Sequence, residues 1–195
     1  MQSSKLLNLL RETGAMLDGH FLLTSGRHSN VYIEKFRILE NPDSLYQVCG
    51  AMADIVKEKN VDIVLGAAIG GILISGGVGQ HLEKKHIFAE RIKGKMELRR
   101  GFFISKGERV AIVEDIITTG GSVFELINLV EELSAEIIHV VNLVDRSTEG
   151  IDFGYPATAL LNLPSESYNT SNCPQCKQGI PITERGRTGK KMEIV

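Results

Sequence analysis

The run Val110-Ala-Ile-Val-Glu-Asp-Ile-Ile-Thr-Thr-Gly-Gly-Ser122 holds the side chains of clearest chemical use in this 195-residue chain. An apolar stretch ends in two adjacent carboxylates, Glu114 and Asp115. Ile116 and Ile117 follow, then a turn of small residues: Thr118, Thr119, Gly120, Gly121 and Ser122. Four apolar residues without alternation, Val110 to Val113, predict a strand covered on both faces. The acids then emerge at its carboxyl end, where open parallel sheets form ligand crevices. Gly120 and Gly121 allow backbone angles that let several N–H groups converge on one anion, and a helix starting near Ser122 adds its positive end. Carboxylates repel phosphate, but they accept hydrogen bonds from vicinal hydroxyls. Acids for hydroxyls and a turn for an anion together describe a ribose 5-phosphate. A strand end followed by Thr119 or Ser122 as a helix cap is the plainer account of any one residue type. The whole run favours the sugar phosphate. A nucleotide-triphosphate loop is excluded, because its Gly-Lys-Ser/Thr ending is missing.

The elements that must position this run are legible around it. Leu6, Leu9, Leu10, Ala15 and Leu17 give Lys5 to Leu17 a broadly helical pattern, and Asn30 to Phe36 is strand-like. Asn41-Pro42-Asp43 opens a helix with a capping residue, a first-turn proline and an acid favoured by the dipole; it should run to about Lys59. Asp62 to Leu65 predicts a strand and Gly71 to Leu82 a helix. Gly76, Gly77 and Gly79 weaken that helix in isolation, so close packing on a sheet is expected. His86 to Arg91 reads as a strand, Phe124 to Leu133 as a helix and Ile137 to Val144 as the last sheet strand. Alternating strands and helices predict an α/β fold with right-handed βαβ units and a parallel sheet flanked by helices. The glycine- and charge-rich tail from about Gly186 is expected to be partly disordered.

Composition sets bounds. The length fits one domain with an appendage, and 43% hydrophobic residues can build a substantial core. A formal charge of −2 offers no general attraction to nucleic acid. No apolar stretch reaches the roughly 18–20 residues that span a membrane. The first residues lack a signal-peptide pattern, so a cytoplasmic location is expected. Of three cysteines, Cys49 falls within a helix as a small apolar residue. Cys173-Pro-Gln-Cys176 is half of a four-ligand zinc set, with no second pair or histidine nearby in sequence to complete it. A tight turn around Pro174 is the favoured account of the pair, ahead of a zinc shared between subunits.

The central run resembles the phosphoribosyl-diphosphate (PRPP) motif of type I phosphoribosyltransferases. Thr24-Ser-Gly-Arg-His-Ser-Asn-Val-Tyr-Ile33 is similar to the hood segment of orotate phosphoribosyltransferases, and Asn142-Leu-Val-Asp-Arg-Ser-Thr-Glu-Gly150 to their segment with an orotate-binding arginine. With Ala89 to Gly101, these cover most of the chain in family order. The resemblance implies a parallel-sheet core of residues 41–149 under a small hood of residues 1–40 and 150–185, all one domain. It implies displacement of pyrophosphate from PRPP by orotate in pyrimidine (UMP) biosynthesis, with Mg2+ carried in on PRPP and no dedicated protein metal site. Residues 114–122 are then the PRPP site, and Arg146 and Thr118 face orotate. Arg91 and Lys95 match catalytic cations on a mobile loop that closes over the neighbouring subunit of a homodimer.

Each assignment has a plainer counterpart. The cations from Arg91 to Arg100 could be an exposed hairpin in water. Arg146 could pair with Asp145 or Glu149, and Tyr32 could be a packed tyrosine rather than a base-stacking one. His28 reads as a surface or hood residue, and His20, His81, His86 and His139 have no evident role. Glu97, Thr24 and Gly70 stand where many relatives carry a histidine or lysine; Arg99 or Arg100 could compensate. A purine phosphoribosyltransferase would share the sugar-phosphate motif but has less use for Arg146. A PRPP-sensing regulator would call for a basic face or an added DNA-binding domain, which the charge and length disfavour.

Overall fold

The computed structural model describes residues 1–23, 25–164 and 166–184. Along the chain come α1 (Ser3–Glu12), β1 (Met16–Leu22), β2 (His28–Ile33), α2 (Phe36–Leu39) and α3 (Pro42–Val56), the last extended by a 3-10 turn, Lys57–Lys59. Next are β3 (Ile63–Ala67), α4 (Gly70–Leu82), β4 (Lys85–Ile92), β5 (Lys95–Leu98), β6 (Arg109–Ile117), α5 (Gly121–Glu132), β7 (Glu136–Asp145) and β8 (Ala157–Asn162). A short α6 (Pro174–Lys177) and β9 (Thr183–Glu184) end the described chain.

Six strands form one sheet in the order β5-β4-β3-β6-β7-β8, parallel except where β5 turns back on β4. The central strands are apolar on both faces because both faces are covered. Val64, Ala111, Val113 and Val141 pack beneath α3 and α4 with Val48, Met52, Val56, Ile74 and Val78. Ile63, Leu65, Val110, Ile112 and Val140 pack beneath α5 with Leu126 and Val130. Each fully buried leucine or isoleucine here contributes roughly 2 kcal/mol of transfer free energy. The expected parallel α/β sheet is present. Its glycine-rich helix meets the expectation in part: a Cβ on Gly79 would overlap His86 of β4, one on Gly77 would overlap Cys49 of the neighbouring helix α3, and Gly76 has ordinary room. Burial pushes the Cys49 thiol up to about 12, the mark of an inert core cysteine.

A second, three-stranded sheet in the order β2-β1-β9 makes the hood. Here the sequence expectations shift. The first helix stops at Glu12 rather than Leu17, because Gly14 at φ 68° leaves the helical region and Met16 onward pairs with β2. β2 begins and ends earlier than expected, since Phe36 already opens α2. β7 is not the last sheet strand: β8 lies parallel beside it, so residues 157–162 belong to the core sheet and not to the hood. No helix among the described residues is long and apolar enough to cross a membrane. Thr24 and the tail of residues 186–195 lie outside the described residues.

Candidate active site

β6 delivers its two acids at the carboxyl edge of the sheet, and the chain then turns sharply through Gly120 into α5. Gly120 sits at φ 75°, a left-handed angle that glycine adopts at little cost. A hollow of about 230 Å³ opens over this turn, lined by Glu114, residues 116–123 and Arg91. The first amides of α5 have no carbonyl four residues back, so they are available to an anion. Arg91, at the end of β4, reaches the hollow from the side. Its guanidinium makes a two-pronged contact with Glu125 at 3.0 and 3.1 Å and lies 3.4 Å from Ser122 Oγ.

The two carboxylates differ in their surroundings. Glu114 Oε1 accepts the Asp115 N–H at 2.9 Å. Burial first, and then the charge of Asp115, push the Glu114 carboxyl well above the usual range. Asp115, only 2% exposed, accepts the Ile116 N–H at 2.6 Å, while its other oxygen lies 2.6 Å from Lys35 Nζ. A Cβ at residue 70 would overlap that oxygen, so a larger residue there would have to displace the Asp115 carboxylate. Lys35 was not foreseen. It follows β2 by two residues, with no local signal, and only the docking of hood on core brings it to Asp115.

A raised carboxyl holds a proton in the folded state that the unfolded chain gives up above a pKa of about 4.3, so its contribution to stability falls as pH rises through that interval. Glu114→Gln should therefore gain stability relative to the parent between about pH 5 and pH 8. Urea midpoints measured across that range check it, and a constant difference would show that Glu114 titrates normally.

Arg146 follows β7, next to the acids in the sheet. Its N–H donates to Ile117 O at 2.8 Å, which seats it one strand away from Thr118. The side chain is 8% exposed, and Nη2 lies 3.4 Å from Val31 O on the hood strand. Burial lowers its pKa. Asp145, one candidate partner, accepts instead from Ser147 N–H at 2.8 Å. Tyr32 packs its ring on Phe21, 5.6 Å between centroids.

The structure does not bring Lys95 into this hollow. The expected mobile loop is a tight hairpin, β4 to β5, closed by Lys93 and Gly94 at φ 49° and 87°. Two successive positive angles match the turn whose twist suits a two-residue hairpin. Lys95 stands exposed on its outer strand, 3.3 Å from Glu132 on α5. Arg100 pairs with Glu90 at 3.1 Å.

His28 lies in the hood, as one of its two expected placements had it, and His20, for which the sequence offered no partner, lies beside it. Both are buried in the hood, beside Cys173 and Cys176. The pair that seemed to lack histidines meets two contributed from about 150 positions earlier, a proximity that strand pairing creates and local spacing cannot reveal.

The phosphoribosyl transferase domain profile matches residues 36–169. Orotate phosphoribosyltransferase of Thermotoga maritima is 44% identical over 183 residues, covering 94% of this chain and 98% of its own. The chain belongs to the orotate phosphoribosyltransferase family. The crystal structure of orotate phosphoribosyltransferase from Aeropyrum pernix superposes with a TM-score of 0.69 at 28% identity, covering 81% of this chain and 93% of its own. Adenine phosphoribosyltransferase from Saccharomyces cerevisiae shares the fold, at a TM-score of 0.64 and 20% identity, covering 81% of this chain and 99% of its own. Membership of the orotate phosphoribosyltransferase family thus rests on sequence, because the fold also serves a purine enzyme.

Proposed function

We propose that the protein transfers the 5-phosphoribosyl group of PRPP to orotate, giving orotidine 5'-phosphate and pyrophosphate. The observation that carries the reading is a convergence at the carboxyl ends of β6 and β7. Two buried acids stand above a glycine turn, and a buried guanidinium stands one strand away. Thr118, Thr119, Gly120, Gly121 and Ser122 hold the 5-phosphate on backbone amides and hydroxyls. Glu114 and Asp115 accept the ribose hydroxyls. Arg146 takes the orotate carboxylate through two parallel hydrogen bonds, and Thr118 adds one to the base.

In the reaction the ribose C1–oxygen bond to pyrophosphate breaks and a C1–nitrogen bond to orotate forms. Charge grows on the leaving group, so fixed cations there stabilise the transition state. Arg91 is placed to supply one. Lys95, exposed on the outer edge of its hairpin, supplies another to the pyrophosphate of a second copy in a homodimer. The carboxylates and threonine hydroxyls are hard oxygen donors of the kind that suits magnesium, but they form no closed cage. Mg2+ would be held chiefly by PRPP oxygens and would offset the diphosphate charge.

Loss of orotate absorbance with PRPP and magnesium, beside adenine, hypoxanthine, xanthine and uracil, tests the reading. Orotate alone should be consumed, with pyrophosphate released. Turnover of a purine would overturn the base assignment, and PRPP binding without turnover would favour a regulator. Lys95→Ala should lower turnover about 100-fold, with both Michaelis constants within about threefold of the parent. Parental turnover in steady-state assays would place leaving-group stabilisation on other residues.

A further inference from the structure

We propose that His20, His28, Cys173 and Cys176 bind one structural zinc ion that staples the carboxyl-terminal arm of the chain to the hood. The assignment does not rest on the orotate reading. The four donor atoms all lie within 4.8 Å of one another. His20 Nε2 is 2.9 Å from His28 Nδ1, 3.4 Å from Cys173 Sγ and 3.7 Å from Cys176 Sγ; Cys176 Sγ is 3.3 Å from His28 Nδ1. A tetrahedron with metal–sulfur bonds of about 2.3 Å and metal–nitrogen bonds of about 2.0–2.1 Å has edges of about 3.3–3.8 Å. The four separations given lie within about half an ångström of those edges, and the widest in the set, up to 4.8 Å, closes by about 1 Å when the metal binds.

The outer contacts orient the same atoms inward. A carbonyl only accepts, so His20 Nδ1–H donates to Ile180 O at 2.8 Å, which leaves Nε2 with its lone pair toward the cluster. His28 Nε2 meets Thr170 Oγ1 at 3.3 Å, and its Nδ1 faces the sulfurs. Histidines that bind metal through one ring nitrogen commonly have the other engaged in this way. The backbone serves the arrangement too. The pairing of β1 with β2 slips by one residue between Asp18 and Phe21, an irregularity that spans Gly19 and His20 and is of the kind that redirects side chains. Gln175, between the two cysteines, donates to Gly19 O at 2.7 Å.

Polar contacts tie the arm to the hood, through the β1–β9 pairing, the His28–Tyr168 bridge and Arg27 with Ser167 and Asn169, but its apolar anchorage is slight. Beyond Leu161, Cys173 is the single buried side chain among the described residues, while Ile180 and Ile182 stay exposed. A segment without an apolar anchor gains order from a metal, as small domains do. Both cysteines are free thiols. Binding would release their two protons to solvent, and two thiolates would neutralise the divalent ion, so the buried centre carries no net charge. Two sulfurs and two imidazoles in tetrahedral array select zinc over magnesium or calcium, which prefer oxygen.

The full-length protein, purified without a histidine tag and dialysed against metal-free buffer, should carry about one zinc per chain. Replacing zinc with cobalt(II) should give the visible bands of a tetrahedral site with thiolate charge transfer. Cys173→Ser with Cys176→Ser should abolish both signals, and a zinc chelator should speed tryptic cleavage at the exposed Lys177. If the double variant fails to fold, His20→Cys provides the check: it should keep the metal and shift the cobalt spectrum toward a three-sulfur set. Folded protein that carries no metal and has Cys173 and Cys176 both reactive toward thiol reagents would overturn the proposal. So would a Cys173–Cys176 disulfide, or half an equivalent of zinc per chain.

Discussion

Asp115→Asn is expected to lower kcat/KM for PRPP by about 100-fold or more while leaving the fold intact. The parent carboxylate accepts the Ile116 N–H and faces Lys35 at 2.6 Å. An asparagine can still accept from Ile116, but it then turns its amide N–H groups toward the ammonium. It also presents donors where a ribose hydroxyl needs an acceptor. Hydrogen bonds to a charged group are worth about 1.5–3 kcal/mol each, so losing two of them reaches the expected factor. Lys35 is partly exposed and regains water, so the stability cost should stay within about 1 kcal/mol. Steady-state kinetics beside urea unfolding separate the two effects. Unchanged kinetics would remove Asp115 from the site, and a collapsed urea midpoint would make its role structural.

Arg146→Ala is expected to raise the Michaelis constant for orotate by about 100-fold or more, with that for PRPP nearly unchanged. The guanidinium is buried, so truncation would leave the substrate carboxylate desolvated without its partner, a penalty of about 3–5 kcal/mol. Arg146→Lys should recover only part of the loss, because a point charge cannot supply two parallel donors. Uracil lacks the carboxylate, so discrimination between orotate and uracil should shrink in the alanine variant. An unaltered orotate constant would contradict the clamp.

The core of this architecture was legible because it depends on local pattern. Continuous apolar runs marked β3, β6 and β7, Asn41-Pro42 marked the start of α3, and the acids and glycines of residues 114–121 marked the turn from β6 into α5 that lines the hollow. The hood was legible only in outline. Gly14 broke a helix whose apolar spacing continued to Leu17, and β8 followed an irregular stretch that hid its place in the main sheet. Lys93-Gly94 carried a hairpin signal, but resemblance to a loop-bearing family outweighed it. What stayed out of reach was contact between distant segments. Lys35 meets Asp115 across 80 positions, and His20 meets Cys173 across 153. Neither meeting leaves a trace in spacing, because each depends on how hood, core and arm dock.

The short bridge from Lys35 to Asp115 gives that docking a further meaning. One end belongs to the hood, directly after β2, and the other to the floor of the crevice at the end of β6. A sugar that claims the Asp115 oxygen competes with the ammonium for it. With Asp115 as the proposed ribose contact, occupancy of the crevice and the posture of the hood would be coupled equilibria, and that coupling would be reciprocal by thermodynamic necessity. On the proposed function the ion pair would work as a latch: an incoming sugar would loosen it, and a loosened hood would in turn change how tightly the sugar is held.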